Sequence, residues 1–102
     1  MSEPRTAPER VGPVLRPGPL TKAVQAAILE LNPLAEFIDH GSYVRVLVPG
    51  ACVLSRELLA QHAGAPVSFP SDLESVMASF KGRLSLNEDE ARWESFSGRG
   101  SK

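Results

Sequence analysis

Strict alternation between residues 43 and 48 is the strongest constraint on how this chain can fold. Val44, Val46 and Val48 fall on one side of the segment, and Tyr43, Arg45 and Leu47 fall on the other. A period of two predicts a β-strand. Gly41-Ser42 precedes this strand and favours a two-residue type II′ hairpin turn from "LAEFID". Pro49-Gly50 follows it and predicts a type II turn into a third short strand, "ACVL", so that the three strands form a meander.

Two further regions predict strands. The segment "VGPVLRPG" indicates a short edge strand, because Pro13 has no N–H to donate to a central ladder. The segment "ASFKGRLSL", residues 78–86, predicts a strand that forms a hairpin with "ARWESF" across the acidic turn "NEDE". Its alternation assigns one face to Phe80, Gly82, Leu84 and Leu86 and the other to Ser79, Lys81, Arg83 and Ser85. Ala91 and Trp93 share a face of the last strand.

Three helices are predicted between the strands. The longest covers "PLTKAVQAAILELNP" and ends at Asn32-Pro33; its apolar stripe consists of Leu20, Val24, Ala27, Ile28 and Leu31. Ser55 is a good N-cap for "RELLAQHA", and Gly64 stands where a left-handed C-terminal residue is expected. Ser71 and Glu74 have the spacing of a capping box at the start of "SDLESVM".

These elements predict an α+β fold. The predicted order is strand, helix, three strands, two short helices and two strands, with antiparallel sheets covered by one long helix and two short helices. Residues 11–96 form the predicted domain. Residues 1–10 and 97–102 have no apolar periodicity, which is typical of disordered tails.

Composition excludes several classes of partner. The chain has 11 basic and 12 acidic side chains, a formal net charge of −1, so neither nucleic acid nor an anionic membrane is an expected partner. Its single cysteine allows no internal disulfide bond, and neither a secretory signal nor a long apolar run is present. These features predict a cytoplasmic protein that recognises partners by shape and apolar contact.

Few residues are equipped for catalysis. His40, His62 and Cys52 are too few and too irregularly spaced for a predicted zinc site, and no Glu-x-x-His pair is present for a di-iron cage. A reactive Cys52–His62 pair is an alternative, although packing of Cys52 in the core is favoured. The glycines form no phosphate-binding loop, and the acidic residues 88–90 lack the spacing of a calcium loop. The chain is therefore predicted to be a non-catalytic module that acts through its surface.

Four segments in order carry a family resemblance: "VGPVLRPG", "YVRVLVPG", "LLAQHAGAPVSF" and "ASFKGRLSLNEDEARWESF". Together they resemble the small effector proteins of bacterial multicomponent di-iron monooxygenases. The similarity is closest to the effector of the toluene monooxygenases, and the regulatory proteins of phenol hydroxylase and soluble methane monooxygenase are more distant. It covers about residues 11 to 96.

The resemblance implies a non-catalytic, cofactor-free subunit. Such effectors bind the hydroxylase component, reshape its active-site region, promote coupled oxygen activation and turnover, and help to set regiospecificity. The reductase and ferredoxin of the same system would be indirect partners. The resemblance also implies a hydroxylase interface made of Ala78, Ser79, Phe80, Lys81, Gly82, Tyr43 and Arg45.

The sequence leaves some alternatives open. Phe80 alternates with Leu84 and Leu86, so the pattern allows it to be either a core residue or a contact residue. Gly82 could permit a close backbone approach or mark a bulge. A small ligand-binding or protein-interaction α+β module unrelated to oxygenases is the alternative function.

Overall fold

The computed structural model describes residues 9–96, which contain seven strands and three helices in the order strand, helix, three strands, two helices and three strands. The strands are β1 (Arg10–Leu15), β2 (Glu36–Asp39), β3 (Val44–Pro49), β4 (Ala51–Ser55), β5 (Met77–Lys81), β6 (Arg83–Leu86) and β7 (Glu90–Glu94). The helices are α1 (Thr21–Leu31), α2 (Arg56–Ala63) and α3 (Ser71–Val76). The predicted α+β class, with antiparallel sheets and three helices, is confirmed. Of the predicted tails, residues 1–8 and 97–102 lie outside the described residues, whereas Arg10 begins β1.

The strands form two antiparallel sheets. The first has the order β2-β3-β1-β5, and the second has the order β4-β7-β6. Side chains from both sheets and from all three helices enter one core, in which Trp93, Leu15, Ile28, Leu54, Leu59 and Leu73 are the largest fully buried side chains. Cys52 and Leu84 lie opposite Trp93 on the two strands that flank β7. The second sheet thus presents one apolar face to that core.

The prediction that residues around Pro13 form an edge strand is wrong, because β1 lies between β3 and β5. The pairing with β3 joins Arg10 and Val11 on one side of Pro13 and Val14 and Leu15 on the other. Pro13 itself is fully buried and lies opposite Phe80 of β5. Proline is tolerated in this central strand because the positions that pair with β3 lie before and after Pro13, so its missing N–H is not needed in that ladder.

The predicted meander is also wrong. The turn at Pro49-Gly50 exists, and Gly50 has the positive φ of 81° that a type II turn requires. The following strand β4 does not return along β3, however, but pairs with β7 in the second sheet. The chain therefore changes sheet at this turn.

Gly82 divides the predicted strand over residues 78–86 into β5 and β6. Strand β5 pairs with β1 in the first sheet, and β6 pairs with β7 in the second. The chain consequently ends with three strands where the sequence pattern predicts two. The hairpin across the acidic turn is confirmed for β6 and β7, and the Asn87 side chain accepts backbone N–H bonds from Asp89 and Glu90 within it.

The helices follow the predictions with two exceptions. Val24, Ala27 and Ile28 of α1 are fully buried, whereas Leu31, the last residue of the helix, is exposed. For α2, both caps are confirmed: Ser55 Oγ accepts a hydrogen bond from the Leu58 N–H at 3.2 Å, and Gly64 is left-handed. The capping box of α3 is wrong, since Ser71 is already the first helical residue and makes no cap bond.

Asn32, expected only to end α1, joins this helix to the second sheet. The side chain is buried; its Nδ2 donates to the carbonyl oxygens of Ile28 at 2.7 Å and Val53 at 2.8 Å, and its Oδ1 accepts from Val53 N–H at 3.0 Å. Because β4 is an edge strand, this side chain satisfies the backbone groups of Val53 that no neighbouring strand reaches.

We expect Asn32→Ala to lower the free energy of unfolding by about 2 to 4 kcal/mol, since it removes the buried amide and leaves the part-buried N–H and C=O groups of Val53 without this partner. Urea unfolding followed by Trp93 fluorescence measures the change. Asn87→Ala is the matched control because it makes the same chemical change and removes two side-chain hydrogen bonds in an exposed turn, so it should lower stability by less than about 1 kcal/mol. Equal effects of the two substitutions would contradict the role given to Asn32.

Within residues 9–96, no helix combines the length and the apolar character needed to cross a membrane.

Candidate protein-interaction surface

The predicted contact segment forms an open edge of the first sheet. Ala78, Ser79, Phe80 and Lys81 all belong to β5, which pairs with β1 on one side and is the last strand of the sheet in that direction. All four residues are exposed. An edge strand with exposed side chains is available for contact with another protein.

The two faces of β5 differ as the alternation predicts. Ser79 lies opposite Val14 and Lys81 lies opposite Gly12, whereas Phe80 lies opposite the fully buried Pro13. Phe80 is therefore on the side of the sheet that faces the core. Its position on the outermost strand still leaves 44% of the residue exposed, so it is not a closed core position.

Arg45 lies on the same side of the sheet as Ser79. The register pairs Val14 with Arg45 of β3 and also with Ser79 of β5, so the two residues flank Val14 from opposite strands. Arg45 is exposed. The fold thus brings together two predicted contact residues that are 34 positions apart in the sequence.

Tyr43 stands apart from this group at the tip of the β2–β3 hairpin. Its half-buried ring stacks on His40, with 4.5 Å between the ring centroids and an angle of 26° between the planes. The His40 N–H donates to the Tyr43 carbonyl oxygen at 2.8 Å, which closes the predicted two-residue loop at Gly41-Ser42. The ring contact gives Tyr43 a structural role in the hairpin.

Gly82 lies in a crowded position between the two sheets. An added Cβ would come within 2.8 Å of both the Glu94 carbonyl oxygen and Val11 Cγ1. The backbone φ of Gly82 is +103°, which side chains rarely adopt. The sequence allows Gly82 to be either a site of close backbone approach or a bulge. The structure shows the close backbone approach.

Sequence reasoning did not include Ile38 among the candidate surface residues. It lies on β2 opposite Arg45 and is 40% exposed. The hairpin signal was sufficient to find it, since counting outward from a two-residue loop at Gly41-Ser42 pairs Ile38 with Arg45. Val14 was also missed, and its place between β3 and β5 depends on long-range pairing that no local pattern reveals.

The residues considered for catalysis lie in separate places. His62 is on the surface, where its Nε2 is 2.8 Å from Glu30 Oε1, and His40 stacks on Tyr43. Cys52 is fully buried, as predicted, and burial raises the pKa of its thiol from 9.0 to about 12. Among residues 9–96, no three His, Cys, Asp or Glu side chains are grouped closely enough to hold a metal ion.

Cys52 is expected to resist alkylation in the folded protein. A rise in pKa from 9.0 to about 12 leaves about a thousandfold fewer thiolates near pH 8, and the sulfur is closed to solvent. Iodoacetamide labelling read by mass spectrometry should therefore be negligible in buffer and complete in denaturant. Because the folded pKa is raised, the stability linked to this thiol is fully present below pH 9 and falls as the pH rises toward 12. Rapid labelling of the folded chain would contradict a purely structural Cys52.

Comparison with known proteins places this geometry in a family. The MmoB/DmpM family matches residues 9–94, which is most of the chain. The chain belongs to the MmoB/DmpM family. The predicted resemblance to small effector proteins of multicomponent monooxygenases is thereby confirmed.

One curated relative of this MmoB/DmpM protein is the effector subunit of the alkene monooxygenase system of Xanthobacter autotrophicus (strain ATCC BAA-1158 / Py2). It is 40% identical over 85 residues, which cover 81% of this chain and 83% of the relative. At that identity and coverage, the two chains are similar over nearly the whole described fold.

Two chains from solved structures of the phenol hydroxylase–regulatory protein complex have the same fold. One superposes with a TM-score of 0.74 at 19% identity and covers 83% of this chain and 95% of its own length. The other has a TM-score of 0.70 at 18% identity and covers 83% of this chain and all of its own length. The MmoB/DmpM protein described here is an effector or regulatory component of a multicomponent monooxygenase and is not itself catalytic.

Proposed function

We propose that this protein is a cofactor-free effector subunit that binds the di-iron hydroxylase of a toluene-type aromatic monooxygenase in the cytoplasm. The family match over residues 9–94 is the observation that carries the proposal. Two solved structures of a phenol hydroxylase with its regulatory protein contain chains of this fold, which supports a hydroxylase as the direct partner. The reductase and ferredoxin of the same system would be indirect partners.

The proposed mechanism is a shift in the populations of hydroxylase conformations. An effector that binds one conformation more tightly than another favours that conformation by the difference in binding free energy. The favoured conformation has a reshaped active-site region, in which oxygen activation is better coupled to substrate oxidation. The effector contributes contact surface, and all redox chemistry stays in the partner.

The exposed edge strand β5 is the proposed contact segment. Ala78, Ser79, Phe80 and Lys81 are all exposed, and Ser79 and Lys81 face away from the core. Gly82 supports the segment through its close packing on Val11 and Glu94. The proposed contact at Arg45 lies on the same sheet face, and Tyr43 would contribute through the hairpin tip.

An alkene-oxidising system is the second candidate. It is favoured by the 40% identity to an effector subunit of an alkene monooxygenase system. Product formation from toluene and from a short-chain alkene by the cognate hydroxylase, each measured with and without the effector, distinguishes the two. Stimulation of alkene oxidation alone would contradict the aromatic assignment.

Complex formation with the purified cognate hydroxylase tests the proposed partner. In sedimentation velocity, the effector should co-sediment with the hydroxylase, and the isolated effector should have no visible absorption band and no bound iron. If the effector has its native melting temperature but still sediments alone when the hydroxylase is in large molar excess, the proposal is contradicted.

We expect Ser79→Trp to weaken hydroxylase binding by about tenfold or more, equivalent to about 1.4 kcal/mol or more, because a bulky ring would separate the contacting surfaces. The melting temperature should stay within a few degrees of the wild-type value because Ser79 is exposed and faces away from the core. Ser85→Trp is the matched control, since Ser85 is also exposed on an edge strand but lies in the second sheet. Loss of thermal stability in Ser79→Trp would instead show that this position is part of the scaffold.

A further inference from the structure

Four residues form a continuous row across the whole first sheet. The register pairs Ile38 with Arg45, Arg45 with Val14, and Val14 with Ser79, so that each of the four strands contributes one residue. Directly paired residues of neighbouring antiparallel strands point to the same face. We call these four residues, together with Lys81 two positions after Ser79, the outer row.

The outer row lies on the solvent side of the sheet. Val11, Leu15, Val46 and Val48 have the opposite phase on β1 and β3, and all four are buried in the core. Ile38, Arg45, Ser79 and Lys81 are exposed, and Val14 between them is half-buried. From strand to strand the face therefore alternates between aliphatic and polar or charged side chains, a mixed composition that protein interfaces share.

The cations of the outer row have no carboxylate partner. Within residues 9–96, Arg10, Arg56 and Arg92 each lie within 4 Å of an acidic side chain, whereas Arg45 and Lys81 do not. A chain with a net charge of −1 thus presents two unpaired positive charges on one open sheet face. Net charge alone predicted recognition by shape and apolar contact, and it conceals this local asymmetry.

We propose that the outer row docks on an acidic surface of the hydroxylase, with carboxylates of that surface facing Arg45 and Lys81. This inference rests on the proposed function, because it takes the hydroxylase as the occupant. An apolar surface alone would leave both cations without partners on binding, which is unfavourable once water is excluded. Carboxylates satisfy them, while Val14 between the two cations and Ile38 beside Arg45 supply apolar contact area. The contact surface then extends across all four strands, well beyond the segment at β5.

Charge reversal at one outer-row position on β3 and at another on β5 tests this surface. Arg45→Glu and Lys81→Glu should each raise the Kd for the cognate hydroxylase by about tenfold or more, and binding of the wild-type chain should weaken as salt is added. Lys22→Glu is the matched control. Lys22 is an exposed cation on α1, and no carboxylate of the described residues lies within 4 Å of it. Its reversal therefore makes the same charge change outside the outer row. Its Kd should be unchanged. Arg45→Gln and Lys81→Gln provide milder versions if either reversal lowers the melting temperature.

The outcomes separate this inference from the proposed function. If the wild-type chain does not bind the hydroxylase, the proposed function fails and this inference fails with it. If the wild-type chain binds but Arg45→Glu binds equally well, the proposed function stands and the four-stranded docking surface is overturned. An effect of Lys81→Glu without an effect of Arg45→Glu confines the contact to β5 and also overturns it. Equal losses in Lys22→Glu would indicate a general effect of net charge and would overturn it as well.

Discussion

Replacing Gly12 with alanine is expected to lower the free energy of unfolding by about 3 to 5 kcal/mol. Gly12 lies in the central strand β1 with a φ of +150°, and an added Cβ would come within 2.4 Å of the Val46 carbonyl oxygen. Contacts under 3.0 Å are essentially absent for real Cβ atoms, and the obstructing atom belongs to the backbone of β3, which no rotamer change can move.

Two unfavourable contributions add at this position. An L-residue in this backbone conformation is strained by about 1 to 3 kcal/mol, and an extra methyl group in a closely packed site costs about 1 to 3 kcal/mol. For a domain of this size, a loss of 3 kcal/mol lowers the Tm by roughly 12 to 24 °C. Differential scanning calorimetry measures the shift directly.

Gly18→Ala is the matched control for Gly12→Ala. Gly18 has an ordinary φ and no heavy atom within 4 Å of an added Cβ, so the same chemical change should alter stability by less than about 1 kcal/mol. A Gly12→Ala protein that melts with the wild-type chain would contradict the close contact between β1 and β3.

Gly82→Ala is expected to produce the second-largest loss, about 3 kcal/mol. Its Cβ would lie 2.8 Å from the Glu94 carbonyl oxygen and 2.8 Å from Val11 Cγ1, at a φ of +103°. The Val11 side chain can shift slightly, whereas the Glu94 backbone is held by its pairing with Ala51 and Arg83. Since Gly82 is where the chain passes from the first sheet to the second, a displaced backbone would also move β5.

Gly41→Ala separates the two causes for Gly82. Gly41 has a φ of +88° but open space around an added Cβ, so it reports the backbone term alone, about 1 kcal/mol. Thermal unfolding of both variants should show a clearly larger loss for Gly82→Ala. Equal losses would mean that the close packing at Gly82 contributes nothing.

The accuracy of the sequence-based predictions depended on how local each feature is. Features that depend on residues close together in the sequence were predicted correctly. They are the two-residue hairpin loop, the caps of α2 at Ser55 and Gly64, and the apolar face of α1. The partner of each strand depends on distant segments. The local pattern around Pro13 therefore predicts an edge strand, although β1 is central. The turn at Pro49-Gly50 predicts that β4 pairs with β3, although β4 pairs with β7.

The same distinction holds for the candidate surface. Alternation alone correctly gave the outward direction of Ser79 and Lys81. That Arg45 joins them could not be derived, because it depends on Val14 lying between β3 and β5. Gly82 could not be assigned either, since its neighbours Val11 and Glu94 come from strands at the two ends of the described chain.

The effect of the chain on its cognate monooxygenase tests the central claim most directly. The measurement is a titration of the effector into fixed amounts of hydroxylase, reductase and ferredoxin, with product formed and oxygen consumed recorded together. The effector should raise the turnover rate or the ratio of product to oxygen, saturably, as the hydroxylase becomes occupied. If the turnover rate and the ratio of product to oxygen both stay unchanged across the titration, and the chain melts cooperatively and is therefore folded, the claim that it is an effector is contradicted.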